Sequence, residues 1–302
     1  MHDLIPMYNK NLTYLQEVFE DDVDQHGNFH KSPSRPKMSD LEVISLAVTA
    51  ESASIDSENW LFSKLRTDYS AQFPNLIDRT RFNRRRRGLQ SWITEFTSRL
   101  SITMGVESTI DIVDSMPCPI VRNAREKSFK VCREEHLTAP KKGYSAVDRK
   151  YYIGYKLHLL TDENGIYQDM QVTPANVHDI NFLKDCAFED WCKGRTILGD
   201  RGYISASLQT DLFTNYGIHL EVPFRKNQKD KKPVEPAKAR KRRRIETQFA
   251  QLCDQFNIKK NYAKTFLGFL TRIASKLAGI AVLQKLNLEK GRPINHLKHT
   301  CS

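Results

Sequence analysis

Three carboxylates in the chain stand at positions from which they could be brought to one point. Asp114 ends the β-rich run "STIDIVD", Asp200 ends the apolar run "RTILGD", and Glu246 follows the basic run "KARKRRRI". Carboxylate oxygens are the ligands that Mg²⁺ and Mn²⁺ prefer. Two such ions about 4 Å apart activate a water or a 3′-OH for attack on phosphorus and stabilise the leaving oxygen. Since clustered carboxylates repel one another without metal, the trio suits metal-dependent phosphoryl transfer.

Each of these carboxylates also has a structural interpretation, and spacing alone does not choose between the two. Asp114 can cap a turn, and Asp111 competes with it in the same strand. Asp200 has glycines close by in "LGDRGY" and fits a turn. Glu246 can offset the helix dipole in a first helical turn. The elements that carry these residues must decide.

The elements after residue 107 predict a mixed α/β sheet. "YYIGYKLHLLTD" and "IYQDMQVTP" are predicted strands joined by a hairpin turn at Asn164–Gly165, and "IHLEVP" is a further strand. "SLQTDLFTNYG" predicts a helix that stops at Gly217. "VHDINFLKDCAFEDW" predicts a helix capped by Asp179, with membership of the site as the alternative for His178–Asp179. Residues 115–150 and 225–241 are predicted to be basic and irregular.

Glu246 is predicted to start the next helix. The core stripe of that helix is predicted to be Ile245, Phe249, Leu252 and Phe256. Glu246 lies about 100° round the helix from Ile245, at the edge of this stripe. A carboxylate there can reach the rim of the sheet.

Residues 1–107 predict an all-helical region. Ser39 and Glu42 form a predicted capping box at the start of one helix. "DRTRFNRRRRGLQSWITEFTSRL" predicts a single helix with Phe82, Leu89 and Ile93 inward and its arginines outward. Such helices fit a helix-turn-helix-like DNA reader, and they fit an oligomerisation module equally well.

The net charge of +11 is concentrated in two blocks. Arg79–Arg87 holds six arginines in nine positions, and Arg225–Arg244 holds eleven Lys or Arg against two acids. Such blocks bind polyanions, most often nucleic acid, and the alternative is a solvated face or a disordered tail. Arg201 and Tyr203 are further candidates because they adjoin Asp200. The predicted DNA-binding residues are Arg79, Arg81, Arg84, Arg85, Arg86, Arg87, Arg201, Arg225, Lys226, Arg240, Lys241, Arg242, Arg243 and Arg244.

Composition sets the broad class. With 302 residues, 39% hydrophobic and 27% charged, the chain is typical of a soluble globular protein. No run of eighteen apolar residues and no signal-peptide layout are evident, so the cytoplasm is the expected location. The six cysteines form no C-x-x-C pair, which argues against structural zinc and favours free thiols.

Taken in order, five motifs resemble those of the DDE-type transposases of bacterial insertion sequences, most closely the family numbered nine-eight-two. They are "IVDSMPCPI", "KGYSAVDRKYYIGYKLHLLTDENG", "VTPANVHD", "LGDRGY" and "RRRIETQFAQL". The resemblance implies an RNase-H-like α/β catalytic domain over 108–285, with a helical N-terminal region at 1–107 and a tail at 286–302. It implies that Asp114, rather than Asp111, joins Asp200 and Glu246 in a triad for two Mg²⁺ or Mn²⁺ ions.

The same resemblance predicts the activity. It implies that the protein cleaves double-stranded DNA at terminal inverted repeats and joins the 3′-OH to target DNA, as a homodimer or larger assembly in the bacterial cytoplasm. The alternatives are a nuclease without strand transfer and a non-catalytic, domesticated DNA-binding protein. Related groups carry tyrosine, arginine and lysine around the glutamate. Here Arg242 is present, but Ala239 and Cys253 replace the other two, with Lys259, Lys260 and Lys264 as possible substitutes.

Overall fold

A computed structural model describes residues 3–30, 34–186, 192–223 and 236–299. Two compact units are formed, one by the described residues of Met1–Gly105 and Leu252–Ser302, the other by Val106–Gln251. The first is called the helical unit and the second the α/β unit. Residues 252–285, predicted to belong to the catalytic domain, are in the helical unit. Arg225, Lys226 and most of the predicted irregular segment 225–241 lie outside the described residues.

The helices and strands follow one another in a simple order. The helices are α1 (Leu4–Val18), α2 (Asp40–Ser52), α3 (Glu58–Asp68), α4 (Arg79–Gly88), α5 (Gln90–Ile102), α6 (Ile180–Asp185), α7 (Ala206–Tyr216), α8 (Pro236–Asp254) and α9 (Phe266–Glu289). The strands are β1 (Ile110–Val121), β2 (Lys141–Ser145), β3 (Lys150–Asp162), β4 (Tyr167–Pro174), β5 (Thr196–Leu198) and β6 (His219–Glu221). A helical region followed by a mixed sheet with helices is consistent with the predicted RNase-H-like class.

In the helical unit, α2 and α5 pack against α9. The predicted capping box at the start of α2 is confirmed, with Ser39 accepting from the N–H of Glu42 and Glu42 accepting in return. The predicted single helix across residues 78–100 is wrong, because α4 and α5 are separated at Leu89, whose φ and ψ are −98° and 12°. Phe82, Leu89 and Ile93 are buried as predicted.

Among the described helices, α9 is long and apolar enough to cross a membrane by length and composition alone. Its mean hydropathy reaches 1.6 over an apolar window, but 83% of that window is buried inside the protein. No such run was expected from the sequence, because Arg272 and Lys276 interrupt the apolar residues of this helix. Burial of this extent is what the core helix of a folded unit shows, since its apolar faces are covered on several sides.

In the α/β unit, the described strands form a mixed sheet in the order β2–β3–β1–β5–β6, and β4 also pairs with β3. β3 is antiparallel to β1, β2 and β4, whereas β1, β5 and β6 run parallel to one another. The predicted hairpin at Asn164–Gly165 is confirmed, and Gly165 adopts a positive φ of 83°. The predicted stop of α7 at Gly217 is also confirmed, with φ of 65°.

β1 is longer than predicted, so residues 115–121 are not irregular and Asp114 lies inside the strand. Pro117 and Pro119 are tolerated because β5 pairs only with the first part of β1. Beyond that part, one edge of β1 has no strand beside it among the described residues. A proline whose missing N–H would point to that edge removes no ladder hydrogen bond. β2 similarly occupies part of the segment predicted to be irregular.

Two helices differ from their predicted extents. α6 is only six residues long and has no side-chain cap from Asp179. α8 begins at Pro236, ten residues before Glu246, so Glu246 does not start the helix. The run of Lys and Arg between them has high intrinsic helix propensity, which explains why α8 extends through it.

Candidate active site

Strand register brings Asp114 and Asp200 to the same edge of the sheet. In the parallel pairing of β1 with β5, Ile112 stands opposite Leu198. Asp114 and Asp200 each lie two residues beyond these partners. Both aspartates therefore follow the paired segment on the same side, at the carboxyl end of β5, and the charge of Asp200 acts on Asp114.

Asp114 is a partly buried acid without a cationic hydrogen-bond partner among the described residues. Its Oδ1 accepts from the backbone N–H of Ser115 at 2.8 Å. Burial raises the pKa of the Asp114 carboxyl to about 7. The Ser115 N–H and Arg242 lower this pKa, whereas the charges of Asp200 and Glu246 raise it. The three predicted carboxylates therefore share one electrostatic environment.

Asp111, the competing residue in β1, has a different environment. Its two carboxylate oxygens accept from Arg195 Nε and Nη2, both at 2.7 Å. A bidentate pair of this geometry uses the acceptor capacity of the carboxylate within the fold. Asp111 is therefore satisfied by Arg195, whereas Asp114, three residues further along the strand, is not paired in this way.

Asp200 combines the two interpretations that its sequence left open. It follows β5 and caps the short 3-10 turn at Arg201–Tyr203, with its Oδ1 accepting from the Gly202 N–H at 2.7 Å. The turn therefore fixes one carboxylate oxygen. The other oxygen is not used by this bond, and the side chain stays partly exposed at the sheet edge.

Glu246 reaches this region from the middle of α8. Its side chain is 52% exposed and accepts from Arg242 Nη2 at 3.3 Å, one helical turn away. Its position ten residues into the helix excludes dipole compensation in a first turn. Its charge acts on Asp114, as noted above, although Glu246 also keeps its own cationic partner.

Asp179 also belongs to this edge, in agreement with the alternative that the sequence left open, and the helix cap predicted for it is not formed. Its Oδ1 accepts from Lys156 Nζ at 2.8 Å and from Ser115 Oγ at 3.1 Å. Its Oδ2 lies against Gly202, beside Asp200 Oδ1. Both oxygens are 2.9 Å from the position that a Cβ atom would take on Gly202. The aspartate that begins the α6 region in "VHD" was the available signal.

Tyr203 is a buried side chain close to the carboxylates of this edge. The sequence reasoning considered it for DNA contact, but its side chain is fully buried and cannot reach DNA. Its hydroxyl has no hydrogen-bond partner among the described residues. Burial, with the charges of Asp179, Asp114 and Asp200, raises the pKa of the phenol well above its ordinary value. The neutral hydroxyl is thus available as a donor next to the carboxylates.

The donor set matches a hard divalent cation in its chemistry. Within the described residues, no three His, Cys, Asp or Glu side chains are gathered closely enough to form a ligand cluster. The charges of Asp200 and Glu246 nevertheless act on Asp114, and Asp114 and Asp200 carry no ion pair to another described residue. Mg²⁺ and Mn²⁺ bind oxygen donors whose negative charge is not already neutralised by a cation, so the residues fit such an ion.

The predicted DNA-binding residues of α4 divide into paired and exposed side chains. Arg86 is buried and donates to Glu58 at 2.7 Å, and Arg85 donates to Asp40 at 2.6 Å. Their predicted outward orientation is wrong, because acids distant in sequence hold them. Arg87 is half-buried. Arg79 pairs with Glu58, and Arg81 pairs with Asp78. Arg84 is exposed and has no ion pair to another described residue.

The predicted residues of the α/β unit are mostly exposed. Lys241 pairs with Glu163 and Arg242 with Glu246. Arg201, Arg240 and Arg243 are exposed, Arg244 is half-buried, and none of the four forms an ion pair with another described residue. The unit that carries the carboxylate edge thus has several cations without an ion pair to another described residue. Such a distribution of positive charge is suited to binding a polyanion.

Comparison with known proteins gives the family. Residues 112–281, more than half of the chain, match the family described as transposase DDE domain. Over 56 residues the chain is 41% identical to a transposase for insertion sequence element IS1106 from Neisseria meningitidis serogroup B, which covers 18% of this chain and 19% of that protein. The chain therefore aligns with about a fifth of that relative. No solved structure matches.

Proposed function

The chain belongs to the family of transposases with a DDE domain, and from this premise we propose that it cleaves insertion-sequence ends and joins the freed 3′-OH to target DNA. The observation that supports the proposal is the edge of the sheet where Asp114 and Asp200 meet within the electrostatic reach of Glu246. The bidentate bond of Asp111 to Arg195 supports the choice of Asp114 over Asp111.

In this proposal, Asp114, Asp200 and Glu246 hold one or two divalent ions. Mg²⁺ or Mn²⁺, when bound, supplies a Lewis acid that lowers the pKa of an attacking hydroxyl and stabilises the leaving oxygen. The Ser115 N–H and the Gly202 N–H orient Asp114 and Asp200. Glu246 is more exposed than either aspartate, so it must exchange its contact with Arg242 for the ion.

The exposed arginines hold the DNA backbone. Arg240, Arg243 and Arg244 extend along α8 from the turn before Glu246, and Arg201 directly follows Asp200. Each cation that neutralises a phosphate releases condensed counterions, so affinity falls steeply with salt. With Ala239 and Cys253 at the accessory positions, Arg242 is the remaining member of the tyrosine, arginine and lysine set.

The substrate sets the assembly and the location. Because two element ends must be cut and joined together, the working form is a homodimer or larger assembly on DNA. Its place of action is the bacterial cytoplasm, at the nucleoid.

The test is cleavage of labelled DNA that carries the element ends, taken from the sequence flanking the gene, with purified protein and Mn²⁺. Wild type is compared with Glu246→Gln and with Asp254→Asn, a matched control at the exposed end of the same helix. We expect Glu246→Gln alone to lose cleavage while it retains DNA binding, and wild type to yield joined products. Cleavage without joining would leave a nuclease. Equal cleavage by Glu246→Gln would remove Glu246 from the site.

A further inference from the structure

Asp179 contacts both residues that orient the two aspartates, namely Ser115 beside Asp114 and Gly202 beside Asp200. Ser115 donates its backbone N–H to Asp114 and its hydroxyl to Asp179, at 2.8 and 3.1 Å. One residue thus links the two carboxylates. Any displacement of Asp179 leaves the Ser115 hydroxyl without its acceptor, directly beside Asp114 in β1.

The second contact of Asp179 is with the turn that follows β5 and orients Asp200. Gly202 donates its N–H to Asp200, and the Asp179 Oδ2 lies 2.9 Å from the position that a Cβ atom would take on Gly202. A side chain at 202 would meet both carboxylates at this distance and force them to shift. Asp179 consequently limits where the Asp200 turn can lie.

A lysine holds Asp179 in this place. Lys156 Nζ donates to Asp179 Oδ1 at 2.8 Å and to the Val177 carbonyl at 2.9 Å. The lysine side chain is only 18% exposed, and that of Asp179 only 22%, so the pair is shielded from solvent. Glu246 is mostly exposed and its contact with Arg242 is 3.3 Å long, whereas the Asp179–Lys156 pair is short and shielded, so Asp179 is better suited to anchor its neighbours than to bind a metal ion.

We infer that Asp179, fixed by Lys156, is a positioning residue that sets the geometry of Asp114 through Ser115 and of Asp200 through the Gly202 turn. The inference rests on the proposed function, because it assigns Asp179 a role toward the ion that Asp114 and Asp200 would hold. Partners of metal ligands commonly change metal affinity by about 10–100-fold when they are removed.

The experiment measures Mn²⁺ binding by the loss of the free-ion signal in electron paramagnetic resonance, with thermal unfolding of the metal-free protein alongside. Asp179→Ala is expected to weaken Mn²⁺ binding by about tenfold or more. Asp179→Asn keeps an acceptor for Ser115 and Lys156, so its affinity is expected to stay within about threefold of wild type. Asp185→Asn, an exposed acid at the end of α6, is the matched control and is expected to leave binding unchanged.

A double-mutant cycle sharpens the assignment. If Asp179 acts through Ser115, the losses of affinity in Asp179→Ala and Ser115→Ala are not additive in the double variant. Additive losses of affinity would overturn the positioning role. An Asp179→Asn variant that binds Mn²⁺ as weakly as Asp179→Ala would also overturn it, and would indicate that Asp179 binds the ion directly. A lower metal-free melting temperature with unchanged Mn²⁺ affinity would reduce Asp179 to a structural residue.

The outcome is separable from that of the proposed function. Asp114→Ala is measured in the same series. Wild type that binds Mn²⁺, with loss in Asp114→Ala and none in Asp179→Ala, would overturn the positioning role alone. Wild type that binds no Mn²⁺ with or without DNA would overturn the proposed function and the inference with it.

Discussion

Glu51 in the helical unit and Asp114 in the α/β unit have opposite surroundings. In the helical unit, the Glu51 carboxylate is buried and accepts from Arg272 Nε at 3.2 Å and from Lys276 Nζ. Asp56 faces the same two cations, at 3.4 Å from Arg272 and 3.6 Å from Lys276. In the α/β unit, Asp114 has the Ser115 N–H and, among the described residues, no ion pair.

This difference separates acids that stabilise a fold from acids that are ready for a ligand. Removing an ion from water costs several kcal/mol, and a cationic partner offsets that cost. Glu51 has such partners, and so does Asp111. Asp114 has no such partner, and its pKa is raised because the cost of burying the ionised carboxylate is not offset. Burial alone therefore does not mark a functional acid, and the missing counter-charge is what makes Asp114 a candidate.

The largest expected effect is on cleavage. Asp114→Asn removes the charge that the proposed ion needs while it keeps the volume of the side chain. Cleavage with Mn²⁺ is expected to fall by more than about 100-fold, since even indirect partners of a metal cost 10–100-fold. Asp111→Asn is the matched control in the same strand, because its partner is Arg195. If both variants cleave equally well, the comparison between Asp111 and Asp114 carries no functional meaning.

The next effect is on the stability of the helical unit. Glu51→Gln leaves Lys276 and Arg272 buried with only Asp56 as an acid. The free energy of unfolding is expected to fall by about 3–5 kcal/mol, because a buried charge loses its partner. Urea unfolding measures this change. Glu95→Gln, which breaks a more exposed pair with Arg99, is the control and is expected to cost under about 1 kcal/mol. Equal losses in the two variants would contradict the role assigned to burial.

A smaller effect of opposite sign is expected for Asp114→Asn in the absence of metal. The folded-state pKa of Asp114 is raised to about 7 from an ordinary value of 3.8, so folding disfavours its ionised form. This penalty is absent below about pH 4, grows as the pH rises, and is complete above about pH 7. The full change in pKa corresponds to about 4 kcal/mol, and partial exposure of the side chain reduces this value. The variant should therefore be more stable than wild type by roughly 2 kcal/mol at pH 8 and by less at pH 5.

Thermal and urea unfolding at the two pH values, with a chelator present, test this expectation. Saturating Mn²⁺ is expected to remove the advantage of the variant, because wild type alone gains the ion as a counter-charge. A variant that is less stable than wild type at pH 8 without metal would mean that Asp114 is already compensated within the fold.

Local patterns explain which features could be predicted from the sequence. The carboxylates at the ends of apolar β-rich runs, the hairpin at Asn164–Gly165 and the stop at Gly217 depend on residues within a few positions of one another. The Asp179 network could not be read in this way, because Ser115 and Lys156 are 64 and 23 residues away from it in sequence. Nothing local distinguishes an aspartate that caps a helix from one that turns back to a sheet.

The same limit explains the arginines of α4. Their pattern predicted an outward face, but Glu58 and Asp40 bind Arg86 and Arg85 from other helices. The extent of α8 was missed for another reason. Prolines and lysines near its start resemble a loop, while the Lys and Arg that follow are good helix formers. Its length moved Glu246 from the first turn to the middle of the helix.

The smallest expected effect compares two arginines that are two positions apart on α4. Arg84 is exposed, whereas Arg86 is buried against Glu58. Arg84→Ala should leave stability unchanged, weaken DNA binding and reduce the slope of log affinity against log salt by about 1, as loss of one phosphate contact does. Arg86→Ala should instead lower stability, because Glu58 loses its buried partner. Fluorescence anisotropy over a range of salt concentrations, with unfolding of both variants, separates these outcomes. An unchanged salt slope in Arg84→Ala would show that this exposed charge does not meet DNA.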